Sequence, residues 1–309
     1  MESEGQAFRF HYLQDCHEPL NGRGFPQQSP LARVFEAHPP ERAPGPRGAG
    51  VTGYWTSWSA WLLLSSQHKR NANRKWCGLL KVVLNLDEYR ECLLFALRMW
   101  YAGGKSTLDW RRAGRRDVGD YISDHLQGKL AEVAFAKMLK DRYGILAEVD
   151  LEVRPGMQVV NEADIRMVTV GGERRRPKIK IDVKATTPKS KYLLIDSQEF
   201  RSRRYDAYVL VLVDLPKDHL VRFIADRMEL PPDLRRLVPP LSAISADILG
   251  FAYREDIEAR GKLYRAGEWL RDPENPEKKL VQLKVDNYGL SVKELRAGEE
   301  DWKALASRL

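Results

Sequence analysis

The chain has 309 residues, 43% hydrophobic and 30% charged, with a formal net charge of +8. This is the composition of a soluble globular protein able to bury a core. Its basic balance favours a polyanionic partner, because neutralising phosphates releases counter-ions. Three scattered cysteines (Cys16, Cys77 and Cys92), with no CxxC spacing, exclude a disulfide framework and a thiolate zinc site.

Taken in chain order, residues 1–78 read as an irregular segment. The opening residues lack the basic start and apolar stretch of a signal peptide. Residues 22–53 are dense in Pro, Gly and Arg and have neither helical nor strand periodicity. Tyr54, Trp55, Trp58 and Trp61 cluster ahead of a basic run, the pattern of a docking strip or of rings that stack on bases. His11, Cys16 and His17 match no zinc spacing. The sparse, unpaired cysteines point to a reducing, cytoplasmic compartment, and no apolar run approaches the roughly 20 residues of a membrane span, so no membrane partner is expected.

Residues 79–309 read as an ordered α/β domain with a helical lead-in. Asp87 is expected to cap a helix through Leu93, Leu94, Ala96, Leu97 and Trp100, which Gly103 and Gly104 stop. A basic connector follows, from Lys105 to Arg116. Asp117 or Asp120 then opens a longer helix that ends at Tyr143-Gly144. Strands are expected over 148–153, 162–170 and 179–185, the last two forming a hairpin about Gly171-Gly172. A strand at 192–195, a brief helical or irregular piece at 198–204 and a doubly covered apolar strand at 208–213 come next. The rest reads as a strand at 220–224, a segment at 248–253, a short helix at 255–260, strands near 280–285 and 288–292, and a helix from Glu299. Helix, strand-rich run and helix together imply an α/β fold around a mixed central sheet flanked by helices.

Chemistry concentrates in Lys180-Ile181-Asp182-Val183-Lys184. Alternation on a strand turns Ile181 and Val183 inward and puts Asp182 and Lys184 on one surface, about 7 Å apart along the backbone. The expected hairpin sets Asp164 opposite or nearly opposite Asp182, where two like charges are destabilising unless a cation sits between them. Oxygen ligands alone point to Mg²⁺, with Mn²⁺ able to stand in. Glu132, in the most apolar part of its helix, lies at the margin of the buried face, and a lone buried carboxylate is costly unless paired or bound to metal.

Gly128-x-x-Ala131-Glu132 on a helix, Glu162-Ala163-Asp164, and Asp182-Val183-Lys184 on a strand together resemble the PD-(D/E)XK nuclease superfamily, with its restriction-endonuclease-like core. The resemblance runs from about Leu84 to the C-terminus and departs from the family at Ala163, where its proline would stand. It implies a Mg²⁺-dependent nuclease of the restriction or defence type acting on DNA, double-stranded first, with a homodimer as a further expectation. It implies that Asp164 and Asp182 ligate the metal with the Val183 carbonyl assisting. Glu132 would act as a ligand or hold a metal-bound water, and Lys184 would position or polarise the attacking water. Arg174, Arg175, Arg176, Lys189, Lys191 and Arg201 flank these residues as candidate phosphate contacts. Gln198 joins them because similar nucleases often carry a polar residue after the lysine strand. A non-catalytic nucleic-acid-binding scaffold, or a nuclease acting on RNA or single strands, is the alternative.

Overall fold

A computed structural model describes residues 80–103, 117–153, 163–188 and 190–309. They belong to one compact unit, Asn73–Leu309. Segment 1–78 with its aromatic cluster, the basic connector and Lys189 lie outside the described residues. Among those described, no helix is long and apolar enough to cross a membrane.

The elements follow in chain order. Strand β1 (Leu80–Leu84) leads into helix α1 (Leu86–Arg98), extended by a π turn at Met99–Gly103. The long helix α2 (Val118–Tyr143) is followed by β2 (Leu146–Val149), β3 (Ile165–Val170), β4 (Glu173–Arg175), β5 (Ile181–Thr186) and β6 (Tyr192–Asp196). Then come α3 (Ser197–Ser202), β7 (Ala207–Val213), α4 (His219–Ala225), α5 (Pro232–Leu237), β8 (Ile244–Tyr253) and α6 (Arg254–Arg260). Strands β9 (Lys262–Tyr264), β10 (Trp269–Asp272), β11 (Asn275–Gln282) and β12 (Asn287–Ser291), and helix α7 (Glu299–Ser307), complete the chain.

The central sheet runs β1-β8-β7-β5, with β5 parallel to β7 and the other pairs antiparallel. One face carries Val82, Ile181, Val183, Val209, Val211 and Ile248, which pack against Leu126, Leu130, Ala134 and Phe135 of α2 and Trp302 of α7. The other face carries Tyr208 and Leu210. It is covered by Phe200 of α3, Ile257 of α6, and a small sheet in the order β6-β12-β9 that supplies Leu193, Ile195 and Leu290. The fold is therefore mixed α/β around a mixed sheet flanked by helices, with part of the second face covered by strands.

Local chemistry explains where the elements fall. Helix α1 starts at Asn85, not Asp87. The Asn85 side chain accepts from the Glu88 amide at 2.8 Å, and Glu88 answers to the Asn85 amide at 2.7 Å, a reciprocal cap that Asp87 lacks. Asp117 caps α2, and Gly144, at φ 65°, ends it in the left-handed conformation. The expected strand 148–153 is shorter and earlier, at β2. Strand β1 went unanticipated because its five residues precede any clear periodicity.

The long hairpin does not form. Gly171 and Gly172 both have positive φ, 59° and 87°, and close a two-residue turn at once, pairing Val170 with Glu173 and Val168 with Arg175. Pro177, without an amide hydrogen, then interrupts the ladder. The chain crosses to the central sheet before β5 begins.

The expected strand 220–224 is instead helix α4. Leu220 and Phe223, three apart, pack on the core while Val221 and Ile224 are exposed, which is helical and not alternating spacing. Its first residue, His219, is buried and holds α4 in place. Nδ1 meets the Tyr89 hydroxyl at 2.8 Å and Nε2 meets Ser123 Oγ at 3.1 Å. Burial pushes its pKa down to about 4, with Asp218 opposing weakly.

His219 stays neutral in the folded state while the unfolded chain takes up a proton below about pH 6.5. Its contribution is intact above that pH and is lost as pH falls toward about 4. The shift corresponds to on the order of 3 kcal/mol. In urea titrations at pH 7 and pH 4.5, His219→Gln should lose less stability than the parent across that interval. An equal loss in both would contradict this role.

Candidate active site

Strand β5 is the last strand of the central sheet, so its outer backbone edge is free to bind another segment. Asp164, just ahead of β3, takes that edge: its amide donates to the Ile181 carbonyl at 3.1 Å, and its Oδ2 accepts from the Val183 amide at 2.6 Å. Asp164 thus reaches Asp182 by docking on the strand edge and not through hairpin register. The two carboxyl groups are close enough to influence each other electrostatically.

Asp182 is 4% exposed and Glu132 6%. Burial raises the pKa of each, and of Asp164, above the ordinary carboxylate range; Asp164 raises the other two further. Two ionised carboxylates brought together in so dry a setting oppose each other strongly. A single hydrogen bond returns only about 1 kcal/mol. Both can be ionised there only with cationic compensation; otherwise they share a proton.

Two lysines provide part of that compensation. Lys184 Nζ lies 2.8 Å from Asp182 Oδ2 and 3.1 Å from Glu199 Oε2. Burial works against its charge, but Asp182 and Glu199 outweigh burial, and its pKa stands above the usual lysine value. The contact with Asp182 is electrostatic, off the hydrogen-bond direction, and Oδ2 is a buried oxygen without an aligned donor. Lys129, one turn before Glu132 on α2, meets Glu132 at 2.8 Å and 2.7 Å, one contact to each carboxylate oxygen.

Glu199 is oriented by its own helix. Asp196 caps α3 through the amides of Gln198 and Glu199, at 2.8 Å and 3.0 Å. Glu199 Oε1 in turn accepts from Arg203 at 3.2 Å, and Arg203 also donates to the Tyr205 hydroxyl at 3.2 Å. Tyr208, opposite Asp182 in the β5–β7 register, is fully buried with a hydroxyl lacking a hydrogen-bond partner.

Asp164, Asp182 and Lys184 therefore come together, with Glu132 electrostatically coupled from α2. Among the described residues, no three of Asp, Glu, His and Cys are grouped as a metal ion needs. Lys129 engages both oxygens of Glu132, and the Val183 amide engages Asp164 Oδ2. The donor set nevertheless suits a hard divalent cation, being all oxygen, acidic and buried, with the unaligned Asp182 Oδ2 among its members.

The flanking basic residues divide. Arg174 is held bidentately by Glu148 at 2.7 Å and 2.8 Å, and Arg175 by the backbone oxygen of Leu309. Lys191 is committed to Asp272 at 2.7 Å and Glu274 at 2.6 Å, where it pins the β10–β11 hairpin. All three are engaged within the chain, Arg174 and Lys191 by carboxylates and Arg175 by a backbone oxygen. Arg176, Gln198 and Arg201 are exposed, as is the neighbouring Arg204. Lys129, Glu199, Tyr205 and Tyr208 were not anticipated. Glu199 adjoins the candidate Gln198, and Lys129 stands at i−3 from Glu132, a readable helical ion-pair spacing.

Asp182→Asn keeps the shape while removing a desolvated charge beside Asp164, and Lys184 retains Glu199. At pH 8, without divalent cations, this variant should be more stable by on the order of 2 kcal/mol. Thermal denaturation would read this as a higher midpoint; a lower midpoint would show that Asp182 is a net stabilising partner of Lys184.

Compared with known proteins, the chain matches no family model, no curated protein and no solved structure.

Proposed function

We propose that the chain is a divalent-cation-dependent nuclease of the restriction-endonuclease-like type, hydrolysing phosphodiester bonds of DNA, double-stranded first, in the cytoplasm. The observation that carries this reading is the Asp164–Asp182 pair, with Asp182 buried and Asp164 half-buried at the strand edge, Lys184 on the same strand face and Glu132 coupled to it from α2. A fold gains nothing in stability from opposed, dehydrated carboxylates, and strongly perturbed groups of this kind concentrate where chemistry is done.

In this reading Asp164, Asp182 and the Val183 carbonyl hold Mg²⁺, or Mn²⁺ in its place, with Glu132 as the further acid. The cation supplies charge neutralisation for the phosphate and eases deprotonation of water, effects worth several kcal/mol. Lys184 stays protonated, so it steadies developing negative charge and orients water or a phosphate oxygen instead of accepting a proton. Glu199 keeps that ammonium beside Asp182. Arg176 and Arg204, exposed and without an ion partner among the described residues, are available to the phosphate backbone.

A second reading, a nucleic-acid-binding scaffold without hydrolysis, is favoured by one observation: lysines already neutralise Glu132 and Asp182. Incubation with supercoiled plasmid separates the two. Relaxed or linear products should form with Mg²⁺ and not with EDTA. Asp182→Asn should slow cleavage by at least about a thousandfold, equivalent to about 4 kcal/mol of lost charge stabilisation, with DNA affinity unchanged or tighter. Retained binding with no cleavage in Mg²⁺ or Mn²⁺ would select the scaffold.

A further inference from the structure

The ammonium of Lys129 engages both oxygens of Glu132, at 2.8 Å and 2.7 Å, in a pair whose side chains are 14% and 8% exposed. An i,i+3 pair of this kind on a solvated helix face is worth little. Here it is nearly dry, and among the described residues no other donor reaches Glu132.

The two lysines of the cluster are not equivalent. Lys184 has a second carboxylate, Glu199, and can release Asp182 without losing an anionic partner. Lys129 has no second carboxylate partner among the described residues; its other contact is the face of Phe95, 4.9 Å from Nζ to the ring centroid. A cation–π contact retains an ammonium at low cost once its carboxylate is taken.

We propose that Lys129 is a built-in counter-ion that competes with a divalent cation for Glu132 and so sets the cation concentration at which the site loads. The inference rests on the cation-site reading given above. In the structure Lys129 holds Glu132, and among the described residues the three acids do not form a three-carboxylate group. Cation entry frees Lys129 to remain against Phe95, and Glu132 then completes the ligand set with Asp164 and Asp182. Departure of the cation restores the ion pair, so the empty site carries no uncompensated charge on Glu132.

The test is calorimetric titration of Mn²⁺ into the full chain at pH 8. Lys129→Gln keeps a hydrogen-bond donor but removes the charge, and should bind Mn²⁺ at least about tenfold more tightly, as expected when a unit positive charge is taken from beside a dication. Lys129→Arg should bind as the parent does, and Asp182→Asn should abolish the heat. In a Glu132→Gln background the Lys129→Gln gain should vanish, because the effect acts through Glu132. Unchanged or weaker binding by Lys129→Gln, with Asp182→Asn still abolishing the heat, overturns the counter-ion role and leaves the cation site standing. Absence of binding by parent and Lys129→Gln alike overturns both.

A second measurement on the unaltered protein does not depend on a variant's folding. Lysine Nζ resonances of a buried ammonium are protected from exchange, and the Lys129 signal should shift or lose protection as Mg²⁺ is added. A signal unmoved at saturating Mg²⁺ overturns the proposal.

Discussion

The hydrogen bond from the Val183 amide to Asp164 Oδ2, 2.6 Å long, joins two parts of the chain that share no strand pairing. It ties the segment ahead of β3 to the open edge of β5, and the Asp164 amide returns a second bond to Ile181. An edge strand presents unpaired backbone groups that must find partners. Here the partner brings a carboxylate, so closing the edge of the sheet also sets acid against acid. The position of Asp164, its neighbourhood with Asp182 and the electrostatics of Glu132 follow from that contact.

Burial and charge then pull in opposite directions. Ile181 and Val183 anchor β5 in the core, which drags Asp182 into a dry setting on the other face. The chain offsets the resulting carboxylate burden in three ways: backbone donation to Asp164, Lys184 shared between Asp182 and Glu199, and Lys129 clasping Glu132. None of these is as compact as the divalent cation proposed for the site. The lysines offset the carboxylates only in part, which fits the cation site proposed above.

Much of this was legible from residue order. Alternation in 180–184 fixed the common face of Asp182 and Lys184, and the helical projection put Glu132 at the buried margin; both hold in the structure. Asp117 and Gly144 bounded α2 as their capping chemistry demands. What was not legible depends on tertiary contact. The route of Asp164 to Asp182 was misread because a Gly-Gly turn was extended into a long hairpin, whereas the ladder stops at Arg175. The basic runs looked alike as sequence, yet Lys191 and Arg174 are spent on distant acids that no local pattern reveals. Glu199 and Lys129 acquire meaning only once α3 and α2 are docked beside β5.

The divalent-cation site proposed at the Asp164–Asp182 pair is tested most directly by crystals grown with Mn²⁺ and measured for its anomalous scattering. One strong peak is expected about 2.1 Å from oxygens of both Asp164 and Asp182. Lys129 Nζ is also expected to have withdrawn from Glu132. A saturated crystal with no peak between the two aspartates, and with Lys129 and Lys184 still on their carboxylates, would contradict the proposal.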